Sequence, residues 1–253
     1  MTSKWFIISQ PKRAPAIRLI CFPYAGGSAA IYFPWLAYLP EYVELVAVQL
    51  PGRANRINET PFVRMEALIE SLFAEIVPLL DRPYVIFGHS LGSRMGIELI
   101  RKLSLEGKRL PSHFIASGSR APHIPIQGGG LHDLPMDEFI GALRDLNGTP
   151  EEILKNDHLM RLCAPTIRAD FCLGAHYVYK NEEQLPVRTT VFAGRSDVGL
   201  SDEQLVAWGQ HFETGASVKM FDGDHFFLES NVSSVLEVIN GILISMMEPQ
   251  AEW

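Results

Sequence analysis

An α/β fold, with a mostly parallel central sheet flanked by helices, is the class this sequence predicts, and three observations predict it. Short apolar runs rich in β-branched and aromatic residues alternate with longer segments whose apolar residues recur at helical spacing, the rhythm of βα units. The short runs are nearly continuous in apolarity, as strands covered by helices on both faces must be. Finally, 253 residues with 47% hydrophobic, 10% aromatic and 20% charged content suffice for one large globular core and do not fit a disordered, collagen-like or disulfide-scaffold chain.

Strands are expected over residues 18–22, 45–50, 84–88, 113–117, 189–193 and 217–221. Between them, residues 63–80 place Met65, Leu68, Ile69, Leu72, Ile76 and Leu79 on one helical face, and residues 91–103 and 232–246 carry the same periodicity. A helix over 29–39 and another over 202–212, with Ser201 as its cap, complete the alternation.

Residues 120–185 break the rhythm. They hold no convincing strand, open with a loop containing Pro122, Pro125 and Gly128-Gly129-Gly130, and continue with helix signals. Residues 137–146 set Phe139, Ile140, Leu143 and Leu146 along one face. Thr149-Pro150-Glu151-Glu152 reads as an N-cap, a proline at the first helical position and a capping-box glutamate. A last helix is expected from Pro165 towards Tyr177. With no repeat or long linker, the segment is expected to be a subdomain within one domain spanning 1–253.

The charge balance of −7 argues against duplex nucleic acid or an anionic membrane as the main partner. Three widely spaced cysteines, Cys21, Cys163 and Cys172, form no C-x-x-C and indicate neither a disulfide framework nor a thiolate metal site. The apolar run near the N-terminus is too short for a signal-peptide core, and no stretch reaches the ~18 apolar residues of a membrane span. A cytoplasmic protein is expected, with a monomer as its simplest state.

The most informative residues are Gly88-His89-Ser90-Leu91-Gly92, directly after the apolar run Tyr84-Val85-Ile86-Phe87 and directly before a helical pattern. This is G-x-S-x-G in a strand–turn–helix setting, a nucleophile elbow. A serine on so tight a turn presents its hydroxyl at the strand end, while the amide of Leu91 opens the helix where an oxyanion would form. Such a serine needs a base and the base an orienting carboxylate, in the chain order Ser, Asp, His. His225, just after the last expected strand, suits the base. Asp197, at the carboxyl end of the penultimate strand, is preferred as the acid to Asp202, which suits the first turn of a helix. His89 is expected to pack away from the nucleophile. A second oxyanion donor, the amide of Ala25, is expected in the loop Pro23-Tyr24-Ala25-Gly26-Gly27-Ser28.

These residues carry a family resemblance. The chain resembles the type II, stand-alone thioesterases of polyketide and nonribosomal peptide assembly lines, which are α/β-hydrolases. The match includes Cys21-Phe22-Pro23-Tyr24-Ala25-Gly26-Gly27-Ser28, Gln49-Leu50-Pro51-Gly52-Arg53, the elbow, Leu146-Asn147-Gly148-Thr149-Pro150, Ala164-Pro165-Thr166-Ile167-Arg168-Ala169-Asp170 and Gly223-Asp224-His225-Phe226-Phe227-Leu228. The Leu-Pro-Gly-Arg and Arg-Ala-Asp segments have no catalytic need in a generic esterase, so they narrow the resemblance beyond "hydrolase". It implies a triad of Ser90, Asp197 and His225, oxyanion amides at Ala25 and Leu91, and a helical lid over about 120–185 above an acyl chamber. It also implies hydrolysis of acyl or peptidyl thioesters on the phosphopantetheine arm of carrier domains, with no metal or bound cofactor, the pantetheine arriving with the substrate.

Two positions depart from the family pattern: Asp224 stands where glycine is usual, and Leu91 where methionine is frequent. Asp224 would perturb His225 if it pointed inward. Because carrier domains are acidic, Arg53, Arg56, Arg101, Lys102, Lys108 and Arg109 are weighed as a local basic contact against a solvated-surface role. The competing functions are a general carboxylesterase on soluble esters and a non-catalytic, carrier-binding protein of the same fold.

Overall fold

The strands are β1 (Phe6–Ile7), β2 (Ile17–Phe22), β3 (Val43–Val48), β4 (Tyr84–His89), β5 (His113–Ser117), β6 (Arg188–Gly194) and β7 (Ala216–Phe221); β2, β3 and β4 are buried on both faces as expected, whereas β7, at the edge, exposes Ser217 and Lys219. The structure, a computed structural model, describes residues 3–126, 130–180 and 183–247. Within it the strands make one mixed sheet in the order β1-β3-β2-β4-β5-β6-β7, parallel except for β1 against β3. The α/β expectation therefore holds. The helices are α1 (Met65–Ile76), α2 (Leu91–Leu105), α3 (Met136–Asp145), α4 (Glu151–Leu154), α5 (Asp157–Ala175), α6 (Asp202–Val206), α7 (Phe227–Ser230) and α8 (Val232–Ser245).

Period-two alternation splits the core into two layers. On β2, Ile20 and Phe22 join the layer under α1 and α2, which also takes Ile86, Phe114 and Val191. Ile17, Leu19 and Cys21 point the other way, with Val85, Phe87 and Phe192, towards Tyr32, Trp35 and α8. A third, smaller cluster of Phe139, Leu143, Leu154, Met160, Ala164 and Ile167 belongs to the helices between β5 and β6.

After β1 at the edge, the chain enters the sheet interior at β2, adds β3 on one side and then returns to place β4 on the other. The strand order thus reverses between β2 and β4, and the loops leaving their carboxyl ends diverge to leave a crevice. Phe22 lies opposite Gly88 in that pairing.

Several local expectations change. β1 is an added edge strand, Phe6 opposite Val48, made by the short apolar run near the N-terminus. Residues 29–37 form a 3₁₀ helix with Pro34 inside it, since proline denies an α-helix its amide. The helix expected over 63–80 is α1 followed by a 3₁₀ turn at Val77–Leu79, where Pro78 sits, and the one expected over 202–212 is α6 followed by a 3₁₀ turn at Ala207–His211. The capping box expected at Thr149 is not formed: Pro150 itself is the N-cap of α4 and no side chain caps it. A capping box does form at α6, between Ser201 and Gln204. The last helix starts eight residues earlier than Pro165, at Asp157, because Asn156 accepts from the amides of His158 and Leu159. Pro165 is carried inside α5. Leu146 is 46% exposed rather than buried with Phe139 and Leu143. The expected glycine loop falls partly at Gly128-Gly129, outside the described residues.

Candidate active site

Ser90 stands between β4 and α2 with φ 54° and ψ −114°, a left-handed conformation that costs a non-glycine residue about 1–3 kcal/mol. The turn is held open by space and closed by hydrogen bonds. A Cβ on Gly88 would lie 2.2 Å from the carbonyl oxygen of Gly92, and one on Gly92 2.4 Å from that of Phe22, so both flanking positions must be glycine. The Ser90 amide donates to Ser117 O at 2.7 Å. Ser93 Oγ lies 2.7 Å from Gly88 O and 3.0 Å from Ser117 O and accepts from the Ser117 amide at 3.1 Å. Ser93 thereby ties the elbow to β5, a role no motif announces. Leu91 opens α2, and the first amides of a helix have no intrahelical acceptor.

Asp197 and His225 leave β6 and β7 side by side. Gly194 pairs with Phe221, the Arg195 amide donates to Phe221 O at 2.8 Å, and the Ser196 amide donates to Gly223 O at 2.9 Å. This double tie delivers His225 Nδ1 to 2.7 Å from Asp197 Oδ2, with the Asp197 side chain only 6% exposed and His225 half-buried. The other Asp197 oxygen accepts the Gly199 amide at 3.1 Å. Asp202 instead lies in the first turn of α6. Asp224 does not point at the imidazole: its carboxylate accepts from the Phe226 amide at 2.9 Å and from Asn147 Nδ2 at 3.3 Å.

His89 is fully buried behind this pair, its Nδ1 2.9 Å from Ser117 Oγ and its ring centroid 5.1 Å from that of His225. Burial first, and the neighbouring His225 second, hold its pKa well below the ordinary histidine value, so it stays neutral.

Ser90, His225, Asp197, Ala25 and Leu91 all line one cavity of about 480 Å³, a volume ordinary for a small-molecule site. Its apolar wall comes from the helices between β5 and β6, through Leu143, Ile167 and Phe171.

The loop bearing Ala25 is anchored by residues the motifs held but the catalytic logic did not use. Asp170 on α5 accepts the Gly26 amide at 2.7 Å and receives Arg53 in a two-pronged bond of 2.6 and 2.8 Å. Arg53 and Asp170 are 5% and 1% exposed. Arg53 is therefore no surface cation, and neither is Arg56, which is 3% exposed, bonds Gln49 O and Glu59, and covers the Trp5 ring. Arg101 and Lys102 are engaged by Glu98, Glu70 and Glu106. Lys108 and Arg109 are exposed near the start of β4, at the sheet end opposite Ser90, where Tyr84 bonds Arg109 O. These six cations form no patch beside the cavity. Among the described residues, His132, Cys172 and His176 also cluster, which spacing alone did not suggest.

A strained serine at the reversal point of a parallel sheet, with an Asp–His pair on the last two strand loops, defines an α/β-hydrolase architecture. The chain belongs to the thioesterase family, whose thioesterase domain it matches over residues 17–243. It is 37% identical over 248 residues to the gramicidin S biosynthesis protein GrsT of Aneurinibacillus migulanus, covering 98% of this chain and 97% of the other. Among solved structures it is similar to the type II thioesterase BorB from the borrelidin biosynthetic cluster, with TM-score 0.87, 31% identity and coverage of 95% and 98%. It is also similar to ClbQ from the colibactin NRPS/PKS pathway, with TM-score 0.86, 30% identity and coverage of 91% and 98%.

Proposed function

We propose that this thioesterase hydrolyses acyl or peptidyl thioesters carried on the phosphopantetheine arm of carrier domains in polyketide or nonribosomal peptide biosynthesis, removing stalled or wrong acyl units. The observation that carries the reading is the Asp197–His225 hydrogen bond of 2.7 Å, opening on the same cavity as the strained Ser90. The similarity to BorB and ClbQ supports the carrier-bound substrate.

The chemistry follows from the geometry. Asp197 accepts Nδ1–H of His225, which leaves Nε2 with its lone pair free to take the Ser90 proton. Ser90 Oγ attacks the thioester carbonyl carbon, and the amides of Leu91 and Ala25 take the charge on oxygen. The C–S bond breaks as His225 returns the proton to the pantetheine sulfur. Water then attacks the acyl-enzyme, giving its proton to His225, and Ser90 departs with that proton as the acid is released. No metal or bound cofactor enters these steps. The helices between β5 and β6 serve as the lid, whose apolar wall receives the acyl chain.

A fluorophosphonate is expected to label Ser90, and Ser90→Ala is expected to abolish labelling and lower turnover on the order of 10⁶-fold. Survival of about 1% of activity in that variant would sink the triad. Turnover of acyl-carrier thioesters is expected to exceed that of soluble short esters; the reverse preference would make the protein a general esterase.

A further inference from the structure

The Arg53–Asp170 pair joins two parts of the chain that have no covalent reason to meet, and apart from Arg53 Nε to Pro51 O at 3.3 Å its remaining bonds go to the Ala25 loop. Besides the Gly26 amide held by Asp170 at 2.7 Å, Arg53 Nη1 reaches Gly27 O at 3.1 Å, so the Gly26-Gly27 turn is gripped at an amide on one side and a carbonyl on the other. Gln49 backs the grip, accepting the Ala29 amide at 3.1 Å and reaching Arg53 O at 3.4 Å. Gly26 is held at φ 79°. That left-handed turn brings the Gly27 amide onto Tyr24 O at 2.9 Å, and Tyr24 O shares its peptide plane with the Ala25 amide, so the turn fixes where that amide points. Asp170 sits on α5 among Ile167 and Phe171, which wall the cavity.

A buried ion pair of this kind is poor evidence for stability, because desolvating two charges offsets their attraction. Its use here is geometric. We propose that Arg53 and Asp170 are positioning residues which make the oxyanion-binding loop conditional on the seating of α5: the Ala25 amide is aimed only while Asp170 is docked on Gly26 and Arg53. Substrate held under a seated α5 then meets a complete oxyanion site, and an unseated α5 leaves the serine without its second donor. The proposal rests on the reading of Ser90 as nucleophile and Ala25 as oxyanion donor.

The test compares ground-state and tetrahedral-state binding in Asp170→Asn and Arg53→Lys, using hexanoyl-N-acetylcysteamine thioester as substrate and a pentyl trifluoromethyl ketone as the tetrahedral mimic. Asp170→Asn is expected to lower kcat about 10- to 100-fold, leave KM within about twofold, and weaken the ketone by the same factor as kcat/KM. Arg53→Lys, which keeps the charge but loses the fork, is expected to show a smaller loss with the same proportionality. It carries the comparison alone if Asp170→Asn fails to fold. A fall in kcat with ketone affinity intact, or variants equal to wild type, would overturn the proposal. Fluorophosphonate labelling of the wild-type enzyme reports separately on the Ser90 reading: an unlabelled wild type removes that reading, whereas a labelled wild type with unshifted ketone affinity in both variants removes only the clamp.

Discussion

The carboxyl end of the sheet and the helical segment between β5 and β6 face each other across one cavity, yet they are built differently. The sheet side is fixed by register: Phe22 against Gly88, His89 against Ser117, Gly194 against Phe221. The helical side rests on the small cluster around Phe139 and is joined to the sheet side by a few polar ties. They include Asp170 to Arg53 and Gly26, Thr166 to Gly52 O, Asn147 to Asp224, and Tyr177 to Glu98. The proposed reacting groups thus sit on the part that cannot shift without breaking β pairing. The apolar wall of the cavity, proposed to receive the acyl chain, sits on the part that can.

The largest effects separate the two regions by where a cavity is felt. Phe87→Ala, in the ring cluster with Tyr32, Trp35 and Phe192, is expected to lower global stability by about 3–5 kcal/mol in denaturant titration. Phe139→Ala removes an equally buried ring, packed under Arg168 and against Phe171. Its cost is expected to appear as faster hydrogen exchange confined to residues 136–175, with the sheet still protected. Exchange rising equally in β4 and β5 would erase the distinction.

Ser93→Ala tests the register side alone. It strands the Ser117 amide and the Gly88 carbonyl, so a loss of about 1–3 kcal/mol is expected, with slower phosphonylation of Ser90. Full labelling speed would show that β4–β5 pairing holds the elbow unaided.

Acid acts on the sheet side through its histidines. Burial first, then Arg188, pushes His113 down to about 4, and burial first, then His123 and Arg101, pushes His211 to about 4. Between about pH 6.5 and that value the unfolded chain binds protons that the folded one refuses. Stability therefore rises with pH across this window and is lost as pH falls through it. A Tm series from pH 7.5 to 4 measures the slope, and His113→Gln is expected to flatten it. The smallest effect belongs to the exposed Asn147–Asp224 tie. Asn147→Gly keeps the left-handed φ of 56° and removes the amide, with an expected change of at most about 0.5 kcal/mol in thermal unfolding.

The sheet was legible in the sequence because most of its strands are doubly buried and leave nearly continuous apolar runs; β7, at the edge with Ser217 and Lys219 exposed, was placed by the shorter run that ends in Met220 and Phe221. β1 escaped because two paired residues leave no period to read. In the helical segment the apolar faces of α3 and α5 were visible. Their ends were not, because Pro165 looked like a start signal while the bonds that begin α5 come from Asn156. The placement of Ser90, Asp197 and His225 at strand ends followed from motif and chain order. That Arg53 and Asp170 meet could not be read from either, since ion pairing across 117 positions has no local period. Their segments stood out only as motifs without a use, and the same silence made Arg53 look like a surface cation.

The reversal of strand order between β2 and β4 also has a kinetic meaning. The proposed donors and base are drawn from position 25 to position 225, and they meet only when β2, β4, β5, β6 and β7 have all paired. Pairing so remote in sequence is slow to form. Hydrolytic competence should therefore emerge at the end of refolding, after β7 has joined β6 and after the Trp35 environment has already become native. Any form of the chain in which β7 had not joined β6 would hold Ser90 without its proposed base beside it, and would be chemically silent.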